Sequence, residues 1–106
     1  MKSRVKIIVT VPVDQADSLR LAIGEAGGGK IGNYDYCSFS VKGTGRFLPN
    51  EEANPTIGKP GKPEQVEEER VEITCDLNDA ETVVKAIRKA HSYEEPAIDV
   101  YPLLEF

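Results

Sequence analysis

Apolar and polar residues alternate with period two from the start of the chain. Val5, Ile7, Val9 and Val11 fall on one side, and Arg4, Lys6, Ile8 and Thr10 on the other, until Pro12 ends the pattern. This predicts a first strand with one buried face. The period then lengthens. Asp14 is placed as an N-cap with Asp17 in the first turn, and Ala16, Leu19, Ile23 and Ala26 share one helical face before Gly27-Gly28-Gly29 stops the helix. Cys37, Phe39 and Val41 alternate with Tyr36, Ser38, Ser40 and Lys42 as a second strand, and Val71, Ile73 and Cys75 with Arg70, Glu72 and Thr74 as a third. Asn78 is placed as the cap of a second helix, with Glu81 three residues on and an apolar stripe of Ala80, Val83, Val84, Ile87 and Ala90. Ala97 to Leu104 reads as a short last strand, with Ile98 and Val100 inward and Asp99 and Tyr101 outward.

Strand, helix, strand, strand, helix, strand is the split βαβ order, so the expected fold class is α+β, a ferredoxin-like βαββαβ sandwich in one domain spanning 1–106. Two helices cover one sheet face and leave the other open. The open face is expected to carry Lys6, Thr10, Ser38, Ser40, Arg70, Glu72, Thr74, Asp99 and Tyr101, with Ile8 and the tyrosines leaving room for a subunit contact. A hairpin centred near Pro55-Thr56 sets Val41 opposite Val71, Phe39 opposite Ile73, and Cys37 opposite Cys75. Two such thiols read as small core residues rather than a redox pair.

The connection between the second and third strands, about 43–64, is far longer than a hairpin turn needs, and such loops are functional or disordered. Pro49, Pro55, Pro60 and Pro63 exclude a helix there, while Phe47 and Leu48 are apolar anchors.

Composition narrows the function classes. The 106 residues include 18 acidic, 13 basic and one histidine, for a net charge of −5. Charge is unevenly spread: residues 1–63 carry 9 basic and 6 acidic side chains, residues 64–106 carry 4 and 12. The acidic run Glu64 to Glu72, opposed only by Arg70, reads as a solvated strand edge, and with no basic stripe it argues against nucleic acid as a partner. No apolar run approaches a membrane span, and the first residues lack the apolar core of a signal peptide, so the cytoplasm is the expected location. Cys37 and Cys75 are too few for a disulfide framework or a cysteine zinc site.

Three motifs invite a chemical reading. Gly24 to Lys30 matches G-x-x-x-x-G-K, but Ile31 stands where a phosphate loop needs Ser or Thr, and the stretch leaves a helix instead of opening one. His91-Ser92-Tyr93-Glu94-Glu95-Pro96 offers one imidazole beside two carboxylates. As a metal site it would use His91 with Glu94 or Glu95; the plainer reading is a helix C-cap favoured by the dipole. Cys37, within Asn33-Tyr34-Asp35-Tyr36-Cys37, is a nucleophile only if His91 serves as its base.

The quoted segments together resemble one known domain. Gly32-Asn33-Tyr34-x-x-Cys37-Ser38-Phe39, Gly43-x-Gly45-x-Phe47-x-Pro49, Ala53-Asn54-Pro55-x-x-Gly58 and Glu64-x-Val66-x-Glu68-x-Arg70-Val71-Glu72 are similar to the middle insert of the bacterial YqfO proteins. These form the Nif-three-like family, also called GTP cyclohydrolase type-two homologues. The ending His91-x-Tyr93-Glu94-Glu95-Pro96 resembles both that insert and the C-terminal signature of CutA proteins. The resemblance implies a CutA-like and PII-like fold, commonly trimeric, with open sheet faces toward the threefold axis. It places the family's dinuclear metal site in flanking segments that this sequence does not contain, so the expectation is a stand-alone insert that is not an enzyme and holds no resident cofactor.

Two function classes follow. One is a non-enzymatic regulatory or assembly module, a homo-oligomer with the trimer favoured, contacting a protein or small ligand through the long loop and subunit clefts. Its candidate contact residues are Tyr34, Tyr36, Cys37, Arg46, Phe47, Asn54 and Tyr93. The other is a CutA-like binder of divalent metal through His91, Glu94 and Glu95.

Overall fold

The computed structural model describes residues 3–106. Its elements are β1 (Arg4–Pro12), a 3-10 turn (Val13–Gln15), α1 (Ala16–Glu25), β2 (Phe39–Phe47), β3 (Glu64–Asp76), α2 (Leu77–Ala90) and β4 (Ile98–Leu103). The sheet is antiparallel with order β2-β3-β1-β4, the ferredoxin-like arrangement the element order predicts.

Val5, Ile7, Val9 and Val11 of β1 meet Val71, Ile73 and Cys75 of β3 beneath Ala16, Leu19 and Ile23 of α1 and Ala80, Val83 and Ile87 of α2. Each such aliphatic side chain contributes about 1.5–3 kcal/mol on burial. Helix α1 stops as its glycines require. Gly27 takes φ +97°, its N–H bonds the Gly24 carbonyl, and the Gly28 N–H bonds the Ile23 carbonyl, a Schellman closure.

Several expectations are corrected. Asp14 lies in the 3-10 turn, so Gln15 is the N-cap of α1; Asp76, not Asn78, is the N-cap of α2, and neither cap residue makes a side-chain cap bond. Ala90 ends the α2 stripe exposed. The second strand begins at Phe39 and runs to Phe47, so Gly43 to Phe47 is strand and the loop covers 48–63. Its register is one residue from the expected one: Ser40 opposes Val71, Val41 opposes Arg70 and Phe39 opposes Glu72. A slip of one residue reverses every side chain. Ser40 therefore faces the helices, where Arg20 of α1 binds its Oγ (3.1 Å) and Glu69 Oε1 (2.6 Å). Phe39 and Val41 lie on the open face, 65% and 45% exposed.

Cys37 and Cys75 do not face each other. Cys75 is buried in β3, whereas Cys37 precedes β2, partly exposed, with its N–H on the Gly29 carbonyl. The acidic run is a strand edge only in its first part, because β3 is an inner strand from Glu68 onward. Only Glu68–Asp76 of it pairs with β1; Glu64–Glu67 pair with β2 alone, making a two-stranded arm that stretches the molecule to 48 Å.

Candidate functional site

A cleft of about 620 Å³ opens where the β2–β3 arm leaves the sheet. Its floor is the open face of Val41, Gly43 and Gly45 on β2, Glu68 and Arg70 on β3, and Thr10 on β1. One wall is the loop after β2, with Ala53, Pro55 and Ile57 half-buried; the other is the turn after α2.

Tyr93 organises this turn. The His91 N–H closes the last turn of α2 on the Ile87 carbonyl, which carries the ring to the end of β1. There Nε2–H donates to the Thr10 carbonyl (2.8 Å), and Nδ1 accepts the Tyr93 N–H (3.1 Å). This assigns a neutral imidazole with its proton on Nε2. The Tyr93 ring tilts against His91 at 4.8 Å and Phe47 at 6.1 Å, and its hydroxyl donates to Glu68 Oε2 (2.9 Å). Burial first, then the Glu68 carboxylate, pushes the Tyr93 phenol above its ordinary pKa, so it stays a donor at neutral pH. Glu68 is 6% exposed, and its carboxylate lies flat on the strand because Gly45 has no side chain: a Cβ there would stand 1.9 Å from Oε1.

The loop is fastened to the same turn. The Asn54 N–H meets both oxygens of Glu94 at 3.2 Å, and Thr56 Oγ1 donates to the Ser92 carbonyl at 2.7 Å. Two segments some forty residues apart in sequence thus enclose one space.

Of the residues expected to make contacts, Arg46, Phe47 and Tyr93 line the cleft, and Asn54 fastens its loop wall. Tyr34, Tyr36 and Cys37 lie at the other end of the sheet. Tyr34 bridges Ile31, and Tyr36 (φ +58°) lays its ring on Gly24 of α1, where a Cβ would meet it at 1.8 Å. Glu94 and Glu95 line the cleft rim. Both His91 nitrogens are engaged within the chain, and among the described residues no group of three or more metal-ligating side chains converges. Glu68, Gly43, Gly45 and Arg70 were not singled out as contact residues. The signal that finds them is strand parity, which needs the true register.

Comparison with known proteins gives the chain its relatives. No family model matches it. A protein described as "GTP cyclohydrolase 1 type 2 homolog" from Halalkalibacterium halodurans is 50% identical over 102 residues, 96% of this chain and 27% of that protein. The crystal structure of a Bacillus cereus protein related to NIF3 superposes with a TM-score of 0.84 at 45% identity, over 96% of this chain and 26% of that one. The chain therefore spans about a quarter of the length of the relatives it matches, and is homologous to one domain of these Nif-three-related proteins. CutA from Archaeoglobus fulgidus shares the fold at TM-score 0.69 and 17% identity, over 97% of this chain and 86% of that one. A Bacillus subtilis GlnK–ATP complex does so at 0.65 and 13%, over 97% and 84%.

Proposed function

We propose that this domain is a non-enzymatic regulatory or assembly module that associates as a homotrimer and captures a protein or small ligand in the cleft beside Tyr93. The observation that carries this reading is the mutual fastening of the long loop and the His91–Glu95 turn around one space. A loop of sixteen residues held in place by its own hydrogen bonds presents a formed surface, which lowers the ordering cost of binding. The non-enzymatic part of the reading rests on the site's chemistry. The chain's one histidine has both nitrogens committed, and neither cysteine lines the cleft, so no histidine–cysteine pair assembles there.

The trimer reading rests on the open sheet face. Phe39, Val41, Tyr101 and Leu103 are exposed on it, 36–65% each, while the opposite face is covered by helices. These four side chains lie on the two outer strands, β2 and β4, with polar residues of β3 and β1 between them, and support the reading as exposed apolar surface on the uncovered face. The unbridged Cys37 and Cys75 suit a reducing cytoplasm.

Sedimentation velocity tests the assembly, and Phe39→Glu should release monomers from it. Replacing residues 50–62 by an Asn-Gly turn tests the loop. In the native loop the Pro49 carbonyl accepts the Gly61 N–H at 2.7 Å, which brings the two ends of the replaced segment together, so a short turn can close the arm and the fold should persist. Partner capture that survives this replacement refutes the reading.

A further inference from the structure

The segment from Lys30 to Tyr34 is built more firmly than a connection between α1 and β2 requires. Ile31 and Tyr34 exchange both backbone bonds, N–H to carbonyl at 2.9 Å each way, around Gly32-Asn33. Gly32 takes φ +57°, as the first position of a two-residue hairpin turn demands. Residues directly opposed in such a ladder project to the same side, so Ile31 and Tyr34 form one apolar pair. The feet of the hairpin are held as well. The Gly29 N–H bonds the Thr74 carbonyl of β3, and the Cys37 N–H bonds the Gly29 carbonyl. Arg4 of β1, paired with Asp76 at 2.8 Å, also donates to the Lys30 carbonyl. Among the described residues nothing covers the pair this hairpin presents: Tyr34 is 74% exposed and Ile31 53%. Leu77, which opens α2 with its N–H on the Ser3 carbonyl, is 53% exposed at the same end of the sheet. A rigid tip carrying an uncovered tyrosine and isoleucine has little conformational freedom left to lose on contact.

The position of the hairpin identifies what it meets. Arg4, the first residue of β1, is the register partner of Leu103, the last residue of β4. Polypeptide attached before β1 or after β4 therefore leaves the domain at this end, beside a hollow lined by Arg4, Lys30, Ile31, Gly32 and Asp76. The match takes up 27% of the Halalkalibacterium halodurans protein and 26% of the Bacillus cereus one, so most of each lies outside it. Whichever side that remainder occupies in sequence, it joins the domain where the hairpin stands. The apolar pair with the charged hollow next to it has the make-up of a contact patch, an apolar centre with a polar rim.

We propose that Ile31, Tyr34 and Leu77 form a docking surface for the body of a Nif-three-related protein, the part of such a protein that lies outside the match to this chain. The contact goes beyond the cleft reading and needs neither the cleft nor the trimer.

The Halalkalibacterium halodurans relative supplies that body in two forms, its matched 102 residues exchanged for this chain or for a short Gly-Ser linker. In the first form, amide exchange at Gly32 and Asn33 should slow at least tenfold against the isolated chain, because docking takes the hairpin tip out of water. In calorimetry at micromolar concentrations, the isolated chain should bind the linker form saturably. Ile31→Asp and Tyr34→Ala should each weaken that binding at least tenfold, whereas Leu48→Asp, in the loop at the far end, should leave it unchanged. Unaltered exchange at the hairpin tip, in an exchanged protein that sediments at the relative's own size, overturns the proposal even where the linker form fails to fold. Binding to the linker form that is indifferent to Ile31→Asp and Tyr34→Ala overturns it as well. An Ile31→Asp chain that loses its own self-association in sedimentation also overturns it, by giving the hairpin to a second copy. Loop replacement with partner capture still judges the cleft reading by itself, so the two fail separately.

Discussion

Gly45→Ala tests the construction of the site most directly. A new Cβ would stand 1.9 Å from Glu68 Oε1, 2.5 Å from Cδ and 3.2 Å from Oε2, so the carboxylate must leave its bed on the strand. Leaving breaks the bond from Tyr93, a hydrogen bond to a charged group worth about 1.5–3 kcal/mol. Alanine returns about 0.5–1 kcal/mol by restricting the unfolded chain more than glycine does. The carboxylate gains some water on moving out, which trims the loss further. The balance is destabilisation of about 1–2 kcal/mol, a fall in Tm on the order of 4–15 °C for a domain of this size. Urea denaturation of Gly45→Ala, Glu68→Ala and the double variant forms the cycle that isolates the contact. In the Glu68→Ala background the clash is gone, and Gly45→Ala should become neutral or stabilising by up to about 1 kcal/mol. A cost that persists without Glu68 refutes the reasoning, as does a wild-type background in which Gly45→Ala stabilises.

Three further outcomes follow from the same geometry. Tyr93, with a phenol pKa raised above the unfolded value of about 10, contributes stability that is complete below that pH and lost as pH rises toward its folded value; resistance to denaturation should fall above pH 10, and Tyr93→Phe should flatten that fall. Because His91 spends both ring nitrogens on Thr10 and Tyr93, calorimetry with copper, zinc and nickel should give the same result for wild type and the folded fraction of His91→Gln; uptake lost in the variant would restore the metal reading. Gly24→Ala, which in an open helix position gains about 1 kcal/mol, should instead destabilise because the Tyr36 ring occupies its Cβ space, and should turn stabilising in a Tyr36→Ala background.

What the sequence disclosed depended on how far local pattern controlled each element. The alternation in β1 was decisive because both its neighbours and both helices bury the same three valines and one isoleucine. The α2 stripe held for Ala80, Val83 and Ile87 for the same reason. Caps were misplaced by one or two residues because Asp14 and Asn78 are good capping residues that the chain does not use: a 3-10 turn delays α1, and β3 passes into α2 directly at Asp76. Glu68 was invisible for a different reason. Within Glu67-Glu68-Glu69 nothing local separates a residue bonded to Tyr93 on the open face from one bonded to Arg20 on the helix face. Only the pairing of β3 with β1 does so.

The same one-residue difference in register changes what the open face can do. With Phe39 and Val41 inward, that face would have presented Ser38 and Ser40 beside Lys6 and Thr74, a hydrated surface with little to gain from contact. With Ser40 turned to Arg20, the helix side gains a polar anchor at the sheet edge, and the open side gains a phenylalanine and a valine next to Gly43. Edge strands with exposed apolar residues are an aggregation hazard unless something covers them. β2 carries that hazard along its first half, Phe39 to Val41, and carries bare glycine along its second half, where the loop and Tyr93 form a roof. The strand therefore divides its work: the half without a roof is the part suited to another subunit, and the half under the roof is the part suited to a ligand.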